Sequence, residues 1–184
     1  RDVLIGVNGD PLGKIADFDR MIRSGAGQDV DVALLKLCYL DITESTDVVR
    51  VFNTYRDTLR QLQEDFPEIR FVAVTVPLTT ERTWKRRIKA IIGKDPALGP
   101  RDNVARERMN ALIRAQFEPP ALFDLAAVES SRDDGTRVAF TRQANTYYSL
   151  NPEYSSDGSH LNEKASKLTA GAFVHAISTS MSVG

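Results

Sequence analysis

Apolar residues recur at i, i+4 and i+3 spacing most clearly at Val48, Phe52, Tyr55, Leu59, Leu62 and Phe66, a stripe that ends at Pro67. That rhythm predicts an amphipathic helix. It is flanked by two denser runs. Val30 to Leu40 is nearly continuous apart from Lys36, and Arg70 to Val76 is closed by Pro77; runs of this kind fit strands buried on both faces. Strand, helix and strand in this order make a βαβ unit and hence a parallel sheet. The same reading gives a first helix through Ile15, Phe18 and Ile22 stopped at Gly25, and a helix from Asn103 to Phe117 burying Met109, Leu112 and Ile113. It gives a third strand at Ala121 to Val128, with Glu129 and Ser130 at its C-terminal end. Asp134-Gly135 is a turn signal, 141–156 a polar loop, and Ser159 to Ser178 a closing helix over Leu161, Ala165, Leu168 and Ala172. Trp84, Ile88 and Ile91 suggest one more helix in the long crossover. The pattern implies one compact α/β domain over residues 1–184.

Composition narrows the partners. Lysine and arginine total 24 against 25 acidic residues, so no overall field recruits nucleic acid or an anionic membrane. The basic run Lys85-Arg86-Arg87 with Lys89 stands alone and fits a solvated helix face. The single cysteine, Cys38, sits in an apolar run and predicts a buried thiol. No apolar stretch approaches a membrane span. Asn8-Gly9-Asp10-Pro11-Leu12-Gly13 suggests a phosphate loop, but its glycines match neither nucleotide-binding spacing. No cofactor and no metal are expected, since one histidine near two carboxylates gives too few ligands.

The candidate chemistry lies at Ser155-Ser156-Asp157-Gly158-Ser159-His160-Leu161-Asn162. Asp157 three residues before His160 places an orienting carboxylate beside a general base. Ser159 as N-cap would put His160 in the first turn of the last helix, where the positive helix end disfavours an imidazolium and the carboxylate restores it. The plainer reading is a solvated turn. Ligands of an open parallel sheet bind beyond the carboxyl ends of its strands, which lines up Asp41 with Thr43, Thr79, and Glu129 with Ser130 on one rim. His175, well along the final helix, is expected to be structural or on the surface.

Strands each followed by a helix, with Asp157-x-x-His160 before a final helix, resemble the SGNH or GDSL-type ester hydrolases. Asn8-Gly9-Asp10-Pro11, Lys36 to Asp41, Val76-Pro77-Leu78-Thr79, Leu122 to Ala126 with Glu129-Ser130, and Asp157 to Asn162 resemble a bacterial SGNH-like subfamily across the whole chain. The resemblance implies a three-layer α/β/α, flavodoxin-like fold. It implies Asp157 and His160 as triad acid and base, and Asn8, Gly9, Tyr39 and Asp41 as oxyanion or substrate-binding residues. It implies a small-molecule or carbohydrate ester, such as an O-acetyl sugar, as substrate.

Two departures qualify that resemblance. Where the family carries an asparagine donor this chain has Leu40, and Gly9-Asp10-Pro11 puts proline where the nucleophile would stand. The resemblance therefore implies a first strand, nucleophilic serine and helix ahead of Arg1. Ser130 is the best serine within the chain, though no glycines of a nucleophile elbow flank it. A non-catalytic domain binding a glycan or protein partner, and an O-acyltransferase on the same scaffold, stay open beside the esterase.

Overall fold

A computed structural model describes residues 5–26, 30–81 and 99–182. Helix α1 (Pro11–Met21) begins where the Asp10 carboxylate accepts the Gly13 N–H and where a proline, lacking its own N–H, takes the first position. A single π-turn over Ile22–Ala26 ends it at Gly25, whose φ is +103°. Strand β1 (Val32–Leu35), helix α2 (Val48–Asp65) and strand β2 (Arg70–Val74) form the expected crossover, with β1 and β2 parallel and Leu34 opposite Val72. Helix α3 (Pro100–Gln116) leads to β3 (Leu122–Phe123), also parallel, giving the order β1-β2-β3. Helix α4 (Leu125–Ser130), an antiparallel hairpin of β4 (Ala139–Arg142) and β5 (Asn145–Tyr148), a 3₁₀ turn (Pro152–Tyr154) and helix α5 (Glu163–Ser182) follow.

The strand alternation sorts the core into two layers. Ala33, Leu35, Phe71 and Ala73 face a cluster built by Ile15 and Phe18 of α1, Phe52, Tyr55 and Leu62 of α2, and Met109 and Ile113 of α3. On the other face Val72, Val74 and Phe123 meet Phe173 and Ala176 of α5. The sheet therefore carries helices on both sides, the three-layer α/β/α arrangement that the resemblance implies. Tyr55 joins the layers: its buried hydroxyl donates to the Leu35 carbonyl at 2.8 Å and accepts the Val74 N–H at 2.9 Å. Both strand ends are thereby satisfied from a helix.

Four expectations need correction. The first strand is only Val32–Leu35; Leu37 stays in the core, but the Asp41 carboxylate takes the Cys38 N–H at 2.6 Å and bends residues 38–41 into a turn. The third strand is Leu122–Phe123 alone, because Asp124 caps the Ala127 N–H at 3.1 Å and starts a helix over what reads as strand. Residues 141–156 are not all loop, since β4 and β5 turn through Gln143 and Ala144, both at positive φ. The last helix starts at Glu163, capped by Asn162, whose side chain accepts the Ala165 N–H at 3.1 Å. His160 thus precedes the helix, and the dipole argument for its first turn does not apply. The helix suggested by Trp84, Ile88 and Ile91 lies outside the described residues.

Candidate active site

The loop before α5 is organised by one carboxylate. Asp157 Oδ1 accepts the Ser159 and His160 N–H groups, each at 2.8 Å, and the Ser155 and Ser159 hydroxyls at 3.1 Å. Asp157 Oδ2 is left for the imidazole and meets His160 Nδ1 at 2.5 Å. Burial opposes the charge on Asp157, but these donors prevail and hold its carboxyl well below the usual range. Gly158, at φ +87°, lets the chain double back. Among the described residues His160 Nε2 has no hydrogen-bond partner, and the side chain is 73% exposed. The arrangement is that of an available base with its tautomer set from behind.

Polar side chains of α3 hold the platform under this loop. Past β2 the chain runs on through Val76–Thr80, where Asn110 and Asn103 of α3 supply ladder-like hydrogen bonds. Asn110 accepts the Val76 N–H at 2.6 Å and donates to its carbonyl at 3.0 Å. Asn103 accepts the Thr79 N–H at 3.1 Å and donates to its carbonyl at 2.6 Å. Thr80 N–H then donates to the Gly158 carbonyl at 2.9 Å, which docks the Asp157/His160 loop at the carboxyl end of β2. Between the asparagines, fully buried Arg106 donates through Nε to the Tyr39 and Ile42 carbonyls (3.0 and 3.1 Å) and through Nη1 to Thr79 Oγ1 and Asn103 Oδ1 (both 2.9 Å). Burial pulls its guanidinium down to about 10, and Asp102 and Glu129 are among the groups that oppose the shift. Sequence reasoning missed these α3 residues. Their signal was the 3-4-3 spacing of Asn103, Arg106, Asn110 and Ile113, a core stripe written mostly in polar residues.

The expected binding residues fall into two adjacent groups. Tyr39 joins the Asp157/His160 pair, its ring nearly perpendicular to the His160 imidazole at 6.1 Å between centroids. Asn8, Gly9 and Asp41 form the other with Lys14. Asp41 Oδ1 accepts the Gly9 N–H at 2.8 Å, Asp41 Oδ2 meets Lys14 Nζ at 2.8 Å, and Lys14 Nζ also donates to Asn8 Oδ1 at 2.6 Å. Gly6, at φ +57°, lies so close to the Lys14 stem that a Cβ would stand 2.7 Å from its Cγ. The lysine thus fixes the Asn8 amide with its oxygen inward, leaving the NH₂ group as that side chain's outward donor.

Other rim residues are structural. Ser130 lies in α4 rather than at a strand end, and its buried hydroxyl donates to the Ala126 carbonyl at 2.6 Å while accepting Arg137 Nε at 2.7 Å. It is no substitute nucleophile. Cys38 is half-buried rather than buried, and His175 is exposed on α5. Glu129 accepts the Leu78 N–H at 2.9 Å, and burial pushes its carboxyl up to about 7, against that hydrogen bond and the charges of Lys36 and Arg106. An unfolded glutamate ionises near 4.5, so the folded chain holds the extra proton between those values and stability falls as pH rises through the window. The full loss is about 3 kcal/mol. Glu129→Gln, which keeps an acceptor for Leu78, is expected to flatten this dependence in urea unfolding between pH 5 and 8. An unchanged slope would show that Glu129 is not its source.

The fold is a mixed α/β one, with a parallel three-stranded sheet between helices. It is similar to a Streptococcus pneumonia protein provisionally described as a platelet activating factor, at 14% identity and a TM-score of 0.51, with 85% of this chain and 66% of that one covered. The chain thus spans just under two thirds of that protein, and at this identity the likeness shows the fold alone. The C-terminal domain of Drosophila Oskar aligns at 8% identity and a TM-score of 0.44 over 87% of this chain and 69% of that one. The OSK domain of Drosophila Oskar aligns at 10% and 0.38 over 79% and 61%. Neither Oskar alignment is close enough to carry an argument. No family model and no curated protein matches the sequence. Among the described residues no helix is long and apolar enough to cross a membrane.

Proposed function

We propose that this chain carries the base and orienting acid of an SGNH-type serine ester hydrolase acting on small-molecule or carbohydrate O-acyl esters. The supporting observation is the 2.5 Å contact between Asp157 Oδ2 and His160 Nδ1, on an imidazole whose Nε2 has no partner among the described residues. A serine outside the described residues gives its proton to Nε2 as its oxygen attacks the ester carbonyl. Asp157 keeps the other proton on Nδ1 and stabilises the imidazolium, which then protonates the departing alcohol. Water attacks the acyl-enzyme with His160 again taking the proton, which it returns to the serine oxygen as the acyl–serine bond breaks and the free acid leaves. The outward NH₂ of Asn8 is the candidate side-chain donor to the oxyanion, in place of the asparagine that Leu40 replaces.

A non-catalytic binding domain is the second reading, favoured by the Gly9 N–H being given to Asp41 rather than left free. A fluorophosphonate serine probe on the complete encoded protein separates the two. One adduct on a serine, lost in His160→Ala, is the expected result. No adduct on any form would end the hydrolase reading and make glycan binding the next assay.

A further inference from the structure

The hydrogen bond that His160 Nδ1 donates to Asp157 fixes one edge of the ring but leaves rotation about the Nδ1–Oδ2 line. A mostly exposed imidazole needs a second contact to stop that rotation, and among the described residues its one ring neighbour is Tyr39. Tyr39 sits on the turn after β1, and that turn is held from below. Arg106 takes two of its carbonyls, those of Tyr39 and Ile42, and its Cζ lies 5.6 Å from the centre of the Tyr39 ring. The same guanidinium grips Thr79, whose neighbour Thr80 holds the Gly158 carbonyl inside the catalytic loop. Two routes therefore run from one buried cation to His160: through the Tyr39 ring to the imidazole, and through Thr79–Thr80 to the loop backbone.

We infer that Tyr39 and Arg106 are positioning residues for His160, the tyrosine ring aligning the imidazole and the arginine bracing both loops that meet there. The inference rests on the hydrolase reading for its functional meaning but not for its geometry. Tyr39 acts through its ring, so its hydroxyl is dispensable. Arg106 acts through a planar fork that reaches two loops together, a task that a lysine's single nitrogen cannot reproduce. A base displaced by about 1 Å loses on the order of 10²-fold in rate without a matching change in substrate binding.

The test has two arms. In this chain, the carbon-bound ring protons of His160 are followed by NMR in the wild type, Tyr39→Phe, Tyr39→Leu and Arg106→Lys. Ring-current displacement is expected in wild type and Tyr39→Phe and is lost in Tyr39→Leu; Arg106→Lys reduces it. In the complete encoded protein with p-nitrophenyl acetate, Tyr39→Leu is expected to lower kcat by roughly 10- to 100-fold with little change in KM, and Tyr39→Phe to restore it. Unchanged His160 proton shifts in Tyr39→Leu would overturn the inference even if Arg106→Lys fails to fold. Equal loss of kcat in Phe and Leu variants would overturn it too, by assigning the role to the hydroxyl. The NMR arm needs no turnover, so its failure is distinct from a failure of the hydrolase reading.

Discussion

Exchange of Asp157 for asparagine is expected to lower kcat of the complete encoded protein on p-nitrophenyl acetate by roughly 10³- to 10⁴-fold while the fold persists. The reason is tautomeric. Asp157 Oδ2 can only accept, so His160 Nδ1 must carry a proton and Nε2 is left with a lone pair. An asparagine that keeps its oxygen toward the Ser159 and His160 N–H groups presents NH₂ to Nδ1. The imidazole proton is then driven to Nε2, where it blocks the base. Stability should change little, because the Asp157 and His160 side chains are 48% and 73% exposed. The donors around Asp157 hold its carboxyl low, so the wild-type pH–rate profile should show no inflection from this carboxylate in the range where aspartates ordinarily titrate. Activity of Asp157→Asn within about threefold of wild type would remove Asp157 from the mechanism.

The reason this pair was legible in the sequence is that its geometry is local: a carboxylate three residues before a histidine needs one tight turn and no knowledge of the fold. The βαβ unit was legible for a similar reason, since the α2 stripe and its flanking runs follow distinct periods. Legibility ended where distant groups decide. Leu122 to Val128 is apolar enough for a strand, but Asp124 caps a helix there while its carboxylate also pairs with Arg114. The hairpin turn at Gln143-Ala144 carries no glycine or asparagine to announce two residues at positive φ. Arg106 looked like one more charge in Arg101-Asp102-Asn103-Val104-Ala105-Arg106-Glu107-Arg108, because its partners Tyr39 and Ile42 lie 67 and 64 residues away. Likewise, the sequence placed Asp41 on the rim without showing that a lysine from α1 would meet it there.

That buried pair sets the largest expected change in stability: Asp41→Ala should destabilise the chain by roughly 3–5 kcal/mol in urea unfolding. The side chains of Lys14 and Asp41 are 7% and 0% exposed. Removing the carboxylate leaves the ammonium with Asn8 as its remaining hydrogen-bond partner among the described residues, and also strips the acceptor from the Gly9 and Cys38 N–H groups. Lys14→Met should be milder, because the carboxylate keeps two backbone donors and the apolar stem still fills the space beneath Gly6. Combining Lys14→Met with Asp41→Asn removes both charges at once, so its loss should be smaller than the sum of the single losses, the mark of direct coupling in a double-mutant cycle. A loss within about 1 kcal/mol for Asp41→Ala would mean that water reaches Lys14 and that the pair is not buried in solution. Because Asp41 also closes the turn that carries Tyr39, its replacement should disturb the alignment of His160 as well. Asp41→Asn retains an acceptor for that turn. In this variant the His160 ring-proton shifts should move less than in Asp41→Ala, separating the backbone role of Asp41 from its charge.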